Sequence, residues 1–177
     1  MAKGIIGLDK LMRKYGELGT SVAEESMQRA VLASAKLVQA EAKLLCPVHD
    51  GELRRSIKCK AEQRDDRVIG TVYTNKEYGP YVEFGTGPRG EQNHAGISPA
   101  VTPAYSQSPW WIHESQIDAE AAETYGWFYI DTPKGRFYQC SGQSAQPFMY
   151  PALKDNEERV TRNISNYLAR EIRKVCN

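Results

Sequence analysis

Apolar positions fall into helical patterns at the two ends of the chain, with strand-like and aromatic stretches between them. From Ser21 onward, Met27, Ala30, Val31, Ser34, Leu37, Val38 and Leu45 trace one face at helical spacing. Glu24, Glu25, Arg29, Lys36 and Lys43 fall mostly elsewhere around the wheel. Ser21 and Glu24 match a capping box, in which a hydroxyl and a carboxylate satisfy orphan amides at a helix start. Pro47 stops the pattern, because the residue before a proline is pushed out of the helical region. The spacing therefore predicts a long helix over Ser21–Leu45. Ahead of it, Ile5, Ile6 and Leu8 suit a short strand or docking segment. Leu8, Leu11, Met12, Tyr15 and Leu18 then recur at helical spacing up to Gly16 or Gly19. At the other end Pro151 suits a first helical position, where its missing amide is no loss. Leu153, Val160, Ile164, Tyr167, Leu168, Ile172 and Val175 mark the apolar stripe of a final helix whose outer face alternates in charge.

The middle of the chain changes period. Asp50-Gly51 signals a turn, and Glu52–Ser56 suits one helical turn. Residues 57–61 and 67–73 read as two strands joined by the polar loop 62–66. Val68, Gly70 and Val72 alternate with Ile69, Thr71 and Tyr73, a pattern that predicts cover on both faces. The stretch from Tyr78 to Pro88 then concentrates Tyr78, Tyr81 and Phe84 around Glu83, with Gly85 and Gly87 behind. Its aromatic rings are expected to anchor in a core, with Phe84 as buried core. The glycines let the chain turn sharply as it leaves. Glu83, an acid between Val82 and Phe84, must reach solvent or find hydrogen-bond partners; capping amides near the following turn, or pairing with Arg54 or Arg55, is the expected job. The stretch is read as a structural hinge.

Beyond Gly87 periodicity fades. Residues 88–126 carry Pro88, Pro99, Pro103, Pro109, Trp110 and Trp111 and read as a long loop or elaborated insertion, with a short helix at 115–124. Residues 127–130 and 136–139 flank Asp131-Thr132-Pro133-Lys134-Gly135, a hairpin signature. Its aromatic density exceeds what a lone hairpin needs and suits cover for a sheet face or a surface for a neighbouring subunit, with Trp127, Tyr129, Phe137 and Tyr138 as contact candidates.

Composition narrows the classes. A chain of 177 residues fits one domain with a core of its own. With 23 basic and 22 acidic residues it lacks the excess of a dedicated nucleic-acid binder, although Arg54, Arg55, Lys58 and Lys60 form a local basic patch. The apolar run at the start is too short for a signal peptide, and no stretch approaches the length of a membrane span. Cys46, Cys59, Cys140 and Cys176 form no close pair, so a zinc finger is a poor fit and free thiols in a reducing compartment are expected.

The sequence holds no P-loop, dinucleotide fingerprint, GxSxG or HExxH. His49 beside Asp50 reads as a loop histidine, since no nucleophile motif accompanies it. His49, His94 and His113 with Glu114 or Asp118 have the donors for a metal, but in loops at irregular spacing they read as solvated. Gly85-Thr86-Gly87 has backbone amides for a phosphate, without the lysine and helix start that would make a cradle. No cofactor, no metal and no small-molecule substrate is expected.

Four pieces occur in order: the long helix, Cys46–Ile57 (CPVHDGELRRSI), Tyr78–Thr86 (YGPYVEFGT), and Gln146–Leu153 (QPFMYPAL) opening the last helix. Together they resemble the family of tailed-phage proteins named after gp10 of phage HK97, tail-completion or head-tail joining components. The resemblance runs from about Ile5 to Val175; its most specific parts are Val82-Glu83-Phe84-Gly85-Thr86 and Gln146-Pro147-Phe148, and the structural or assembly motif it implies is Tyr81, Glu83, Phe84, Gly85, Thr86, Pro147, Phe148 and Pro151. It implies an α+β single domain over 1–177, with long N- and C-terminal helices packed on a small, mostly antiparallel sheet. Shorter members lack most of 87–143, which makes that segment an insertion carrying the aromatic hairpin. It also implies a virion protein of the neck or upper tail of a phage or prophage, assembled in the bacterial host cytoplasm. There it would form a ring, sixfold, against itself, the connector or stopper, and tail-tube or tail-terminator proteins. DNA passing through such a ring would meet the face carrying Arg54, Arg55, Lys58 and Lys60. The competing reading, a small hydrolase using His49, Asp50 and Glu83, requires those side chains to converge.

Overall fold

A computed structural model describes residues 21–65, 67–124 and 126–176, without the side chains of 21–23, 119, 121, 123, 172, 175 and 176. The expected strand and helix within 5–19, and the Ser21 half of the capping box, lie outside what it describes. The elements in order are α1 (Ser21–Leu45), α2 (Glu52–Ser56), the hairpin strands β1 (Lys58–Arg64) and β2 (Arg67–Tyr73), then α3 (Gly79–Phe84) and α4 (Gly87–Gln92). There follow β3 (Trp110–His113), a 3-10 turn at Glu114–Gln116, α5 (Ala119–Thr124), β4 (Tyr129–Thr132), β5 (Gly135–Cys140), α6 (Met149–Lys154) and α7 (Glu157–Cys176). The architecture is mixed α+β with small antiparallel sheets, as expected: one of two strands, and one of three that includes the aromatic hairpin. The described residues fall into two compact units: 21–75 with 152–176, and 76–151.

In the first unit α1 is the central element, touching β1, β2 and α7. Its buried positions are Ser26, Ala30, Ser34, Ala35, Val38 and Ala42, followed by Cys46 just past its end. These are mostly small residues three or four apart, so the hairpin approaches closely. Gly70 of β2 lies so near that a Cβ there would stand 2.9 Å from Val31 Cγ1. The helix–hairpin contact is further tied by Gln39, whose Nε2 donates to the Ile57 carbonyl at 2.7 Å and whose Oε1 accepts from Cys59 Sγ at 3.3 Å. Leu45, expected on the inner face, is exposed, as are Leu44 and Val48.

The hairpin departs from expectation in two ways. β1 runs on through 62–64, so Arg64 faces Arg67 across a short turn in which Asp65 adopts φ 51. Among the described residues only one face is covered by a helix: Val68, Gly70 and Val72 turn toward α1, while Ile69 and Tyr73 stay exposed on the outside. An antiparallel hairpin with a helix on a single side leaves its other face to solvent.

The last helix is two helices. Asn156 is buried, donates its side-chain amide to the Ala152 carbonyl at 2.9 Å and its backbone amide to Leu153, then accepts from Val160 N at 2.8 Å. The side chain thus closes α6 and the backbone carbonyl opens α7, and Pro151 sits in the first turn of the short helix, behind Met149 and Tyr150. Among the described residues no helix is long and apolar enough to cross a membrane.

Candidate functional site

The second unit is built around one carboxylate. The stretch expected to be a hinge is a helix, α3, and a helix puts residues four apart on one side. Gly79 and Glu83 therefore face inward together and are buried, while Tyr81 is 58% exposed and Phe84 half-buried. The expectation that the aromatic rings anchor this stretch is reversed: Glu83 is the anchor. Its Oε2 accepts from the backbone amides of Phe148 and Met149 at 2.7 and 2.9 Å, and its Oε1 from Tyr150 at 3.0 Å. These are the orphan donors at the start of α6, and Pro151, next in line, has no amide to satisfy. The carboxylate thus caps amides, as expected, but those of a segment 65 to 67 positions away rather than those of the following turn. A charged acceptor is favoured at a helix start.

The far end of α3 is satisfied as fully. Gly85 N and Gln143 Nε2 donate to Tyr81 O, Gln146 N donates to Val82 O, and the Tyr105 hydroxyl donates to Phe84 O at 2.7 Å. Burial and the nearby Glu91 push the Tyr105 phenol above its ordinary range. Gly85 then turns the chain at φ 78, where an added Cβ would stand 2.7 Å from Ala145 N. Thr86 and Gln143 pair antiparallel. Between α3 and the loop 103–110 lies a groove of about 580 Å³, lined by Pro80, Tyr81, Phe84, Pro103, Tyr105 and Trp110.

The rest of the segment forms the sheet β3-β5-β4, one strand more than the sequence suggests. Trp110-Trp111-Ile112-His113 are good strand formers behind Pro109, a signal that the surrounding loop composition obscures. The pairing register sorts the aromatics by face. Trp111, Phe128, Ile130, His113 and Phe137 share one side, where Trp111 and Phe128 meet at 6.0 Å and His113 and Phe137 edge to face at 5.0 Å. Trp110, Ile112, Tyr129 and Tyr138 share the other, with Arg136 stacked 4.1 Å over Tyr129 and bonded to Asp131. Of the four expected contact residues, Tyr138 is fully buried and Phe137 half-buried, whereas Trp127 and Tyr129 are exposed. Trp111, Phe128 and Ile130, at 43%, 62% and 40% exposure, supply most of the open apolar face.

The remaining candidates have local jobs. Asp50 Oδ1 accepts from Glu52 N at 2.9 Å, which lowers the carboxyl below its ordinary range, and His49 beside it is exposed. Asp50 and Glu83 belong to different units, each committed to backbone amides. His94 stacks on Tyr105, and His113 joins Ser115 Oγ at 2.7 Å and the Lys134 carbonyl at 2.9 Å. Among the described residues no group of three or more His, Cys, Asp or Glu is placed to hold a metal. Of the basic patch, Arg55 and Lys58 are exposed, Arg54 is half-buried, and Lys60 is paired with Glu62 at 2.7 Å.

No curated protein and no solved structure matches the chain. A family model does, over residues 9–85, from before α1 to the glycine that ends α3. The Gln-Pro-Phe segment and the last helix lie beyond that match. Its description is "Bacteriophage HK97-gp10, putative tail-component". Residues 9–85 are thus similar to the HK97-gp10-like family of phage tail components.

Proposed function

We propose that the protein is a structural part of a tailed-phage or prophage virion, in the neck or upper tail, where it completes the tail or joins it to the head as a ring. The match of residues 9–85 carries this reading. Closed rings are made by heterologous contacts, in which two different patches of each subunit meet. The open face carrying Trp111, Phe128 and Ile130 suits one such patch, since contiguous exposed apolar surface marks an interaction site. The 87–143 segment is then an insertion that adds contact surface to the shared fold, directed at a neighbouring subunit or at connector, stopper, tail-tube or tail-terminator proteins.

Sedimentation across a concentration series, alone and with the connector and tail-tube proteins of the same phage, tests this. Growth to one defined ring, blocked by the double substitution Trp111→Ser/Phe128→Ser at unchanged melting temperature, is the expected result. A chain that stays monomeric alone and ignores every partner overturns it.

A further inference from the structure

The final helix carries an exposed polar surface of its own. On α7, Val160, Ile164, Tyr167 and Leu168 are half-buried on the side that packs on α1. At about 100° per residue, Arg159, Arg162, Asn163, Asn166, Arg170 and Arg173 fall within about 60° of one line on the opposite side, and all six are exposed. The acids of the helix lie off that line. Glu157 is engaged by Lys154 at 3.1 Å and Glu171 by Lys174 at 2.7 Å, while Glu158 flanks Arg162 along one edge. Among the described residues none of the four arginines has a hydrogen-bond or ion-pair partner. Unpaired positive charge is thus spread over fourteen helical steps, about 21 Å.

We propose that this stripe docks double-stranded nucleic acid through its phosphates. The charge is complementary to a duplex, which carries a negative charge about every 1.7 Å along its axis. Arginine forks fit phosphate oxygens, and asparagine amides are common phosphate and sugar donors. Other partners fit less well. A protein interface needs an apolar centre, and the stripe has none. A membrane surface needs the apolar side of the helix, which is turned to α1. Single strands are held by stacking on aromatic rings, also missing from the stripe. The basic patch read from the sequence is a weaker candidate, because Lys60 is neutralised by Glu62 and Arg54 is half-buried. The stripe needs no ring, so the proposal stands or falls separately from the assembly reading.

Fluorescence anisotropy of a labelled mixed-sequence duplex, titrated with the full chain over a series of salt concentrations, decides it. The expected slope of log affinity against log salt is about −3 to −4, from up to four phosphates at about −0.9 each. Replacing Arg159, Arg162, Arg170 and Arg173 together by Gln should flatten that slope and weaken binding at least about tenfold at low salt. The corresponding Lys variant should retain it, and replacing Arg54, Arg55, Lys58 and Lys60 by Gln should leave it unchanged. Melting temperatures confirm that each variant is folded. No binding at low salt, a Gln variant that binds like the parent, or binding to polyglutamate but not to the duplex overturns the proposal, the last in favour of an acidic protein partner.

Discussion

Thr86 and Gln143, 57 positions apart, exchange both backbone hydrogen bonds, at 2.9 and 3.1 Å, so that the segment between them leaves and re-enters the fold at one point. A pair bonded in both directions is the geometry that closes a two-residue hairpin. The neck is tight: Gly142, at φ 81, lies against the Thr86 carbonyl with no room for a Cβ.

Excising 87–142 and joining Thr86 to Gln143 through Asn-Gly should therefore give a chain that still folds. Circular dichroism should show retained helix signal and one cooperative thermal transition, with the near-ultraviolet bands of the lost tryptophans gone. Absence of any cooperative transition would mean that the segment is integral to the second unit rather than an insertion.

Glu83→Ala leaves three backbone amides without their acceptor in a buried site. The expected loss is about 3 kcal/mol or more by urea unfolding, from amides that each cost about 1–3 kcal/mol when stranded. Glu83→Gln should fall between, since one oxygen remains while the new amide faces donors. A loss below about 1 kcal/mol would show the clamp to be replaceable by water.

Phe84 and Phe148 should separate sharply. Phe148 is fully buried and its truncation to Ala is expected to cost about 3–5 kcal/mol. Phe84 is only half-buried beside the groove, and Phe84→Ala should cost about 1 kcal/mol. Equal shifts in denaturation midpoint would contradict the burial described.

Asp50 gives a pH signature. The Glu52 amide, donating to it, is the main reason its carboxyl titrates below the ordinary 3.8. With the folded value depressed, the contribution to the α2 start is complete above the unfolded value and lost as pH falls through the folded one. In a nuclear magnetic resonance titration the Glu52 amide shift should follow a midpoint below 3.8, and Asp50→Asn should remove that step. A midpoint at or above the ordinary value would exclude the hydrogen bond.

The elements that the sequence made plain are those where one rule suffices. The long α1 follows from unbroken helical spacing up to Pro47, and the hairpins follow from alternation around polar turns. What stayed hidden depends on distant partners. Tyr81 and Phe84 look like an anchor in a linear reading, because rings carry the apolar area; a helix turned Glu83 inward instead, once amides 65 residues on were available. The Asn156 break in the last helix was obscured by a continuous apolar stripe, and strand β3 by the prolines and polar residues around it. The arginine stripe of α7 was read as alternating charge, since sign alternates along the chain but not around the helix.

The Glu83 clamp also sets an order of events during synthesis. Its carboxylate is made 65 residues before the first amide it binds, which at about 5 to 20 residues per second is a wait of about 3 to 13 s. Through that interval α3 has no partner for its inward acid, so the second unit cannot close until residue 150 has left the ribosome. A nascent chain stalled so that 76–86 has left the ribosome but 148–150 has not should therefore be cut readily by protease at 76–86, and emergence of residue 150 should protect that segment abruptly.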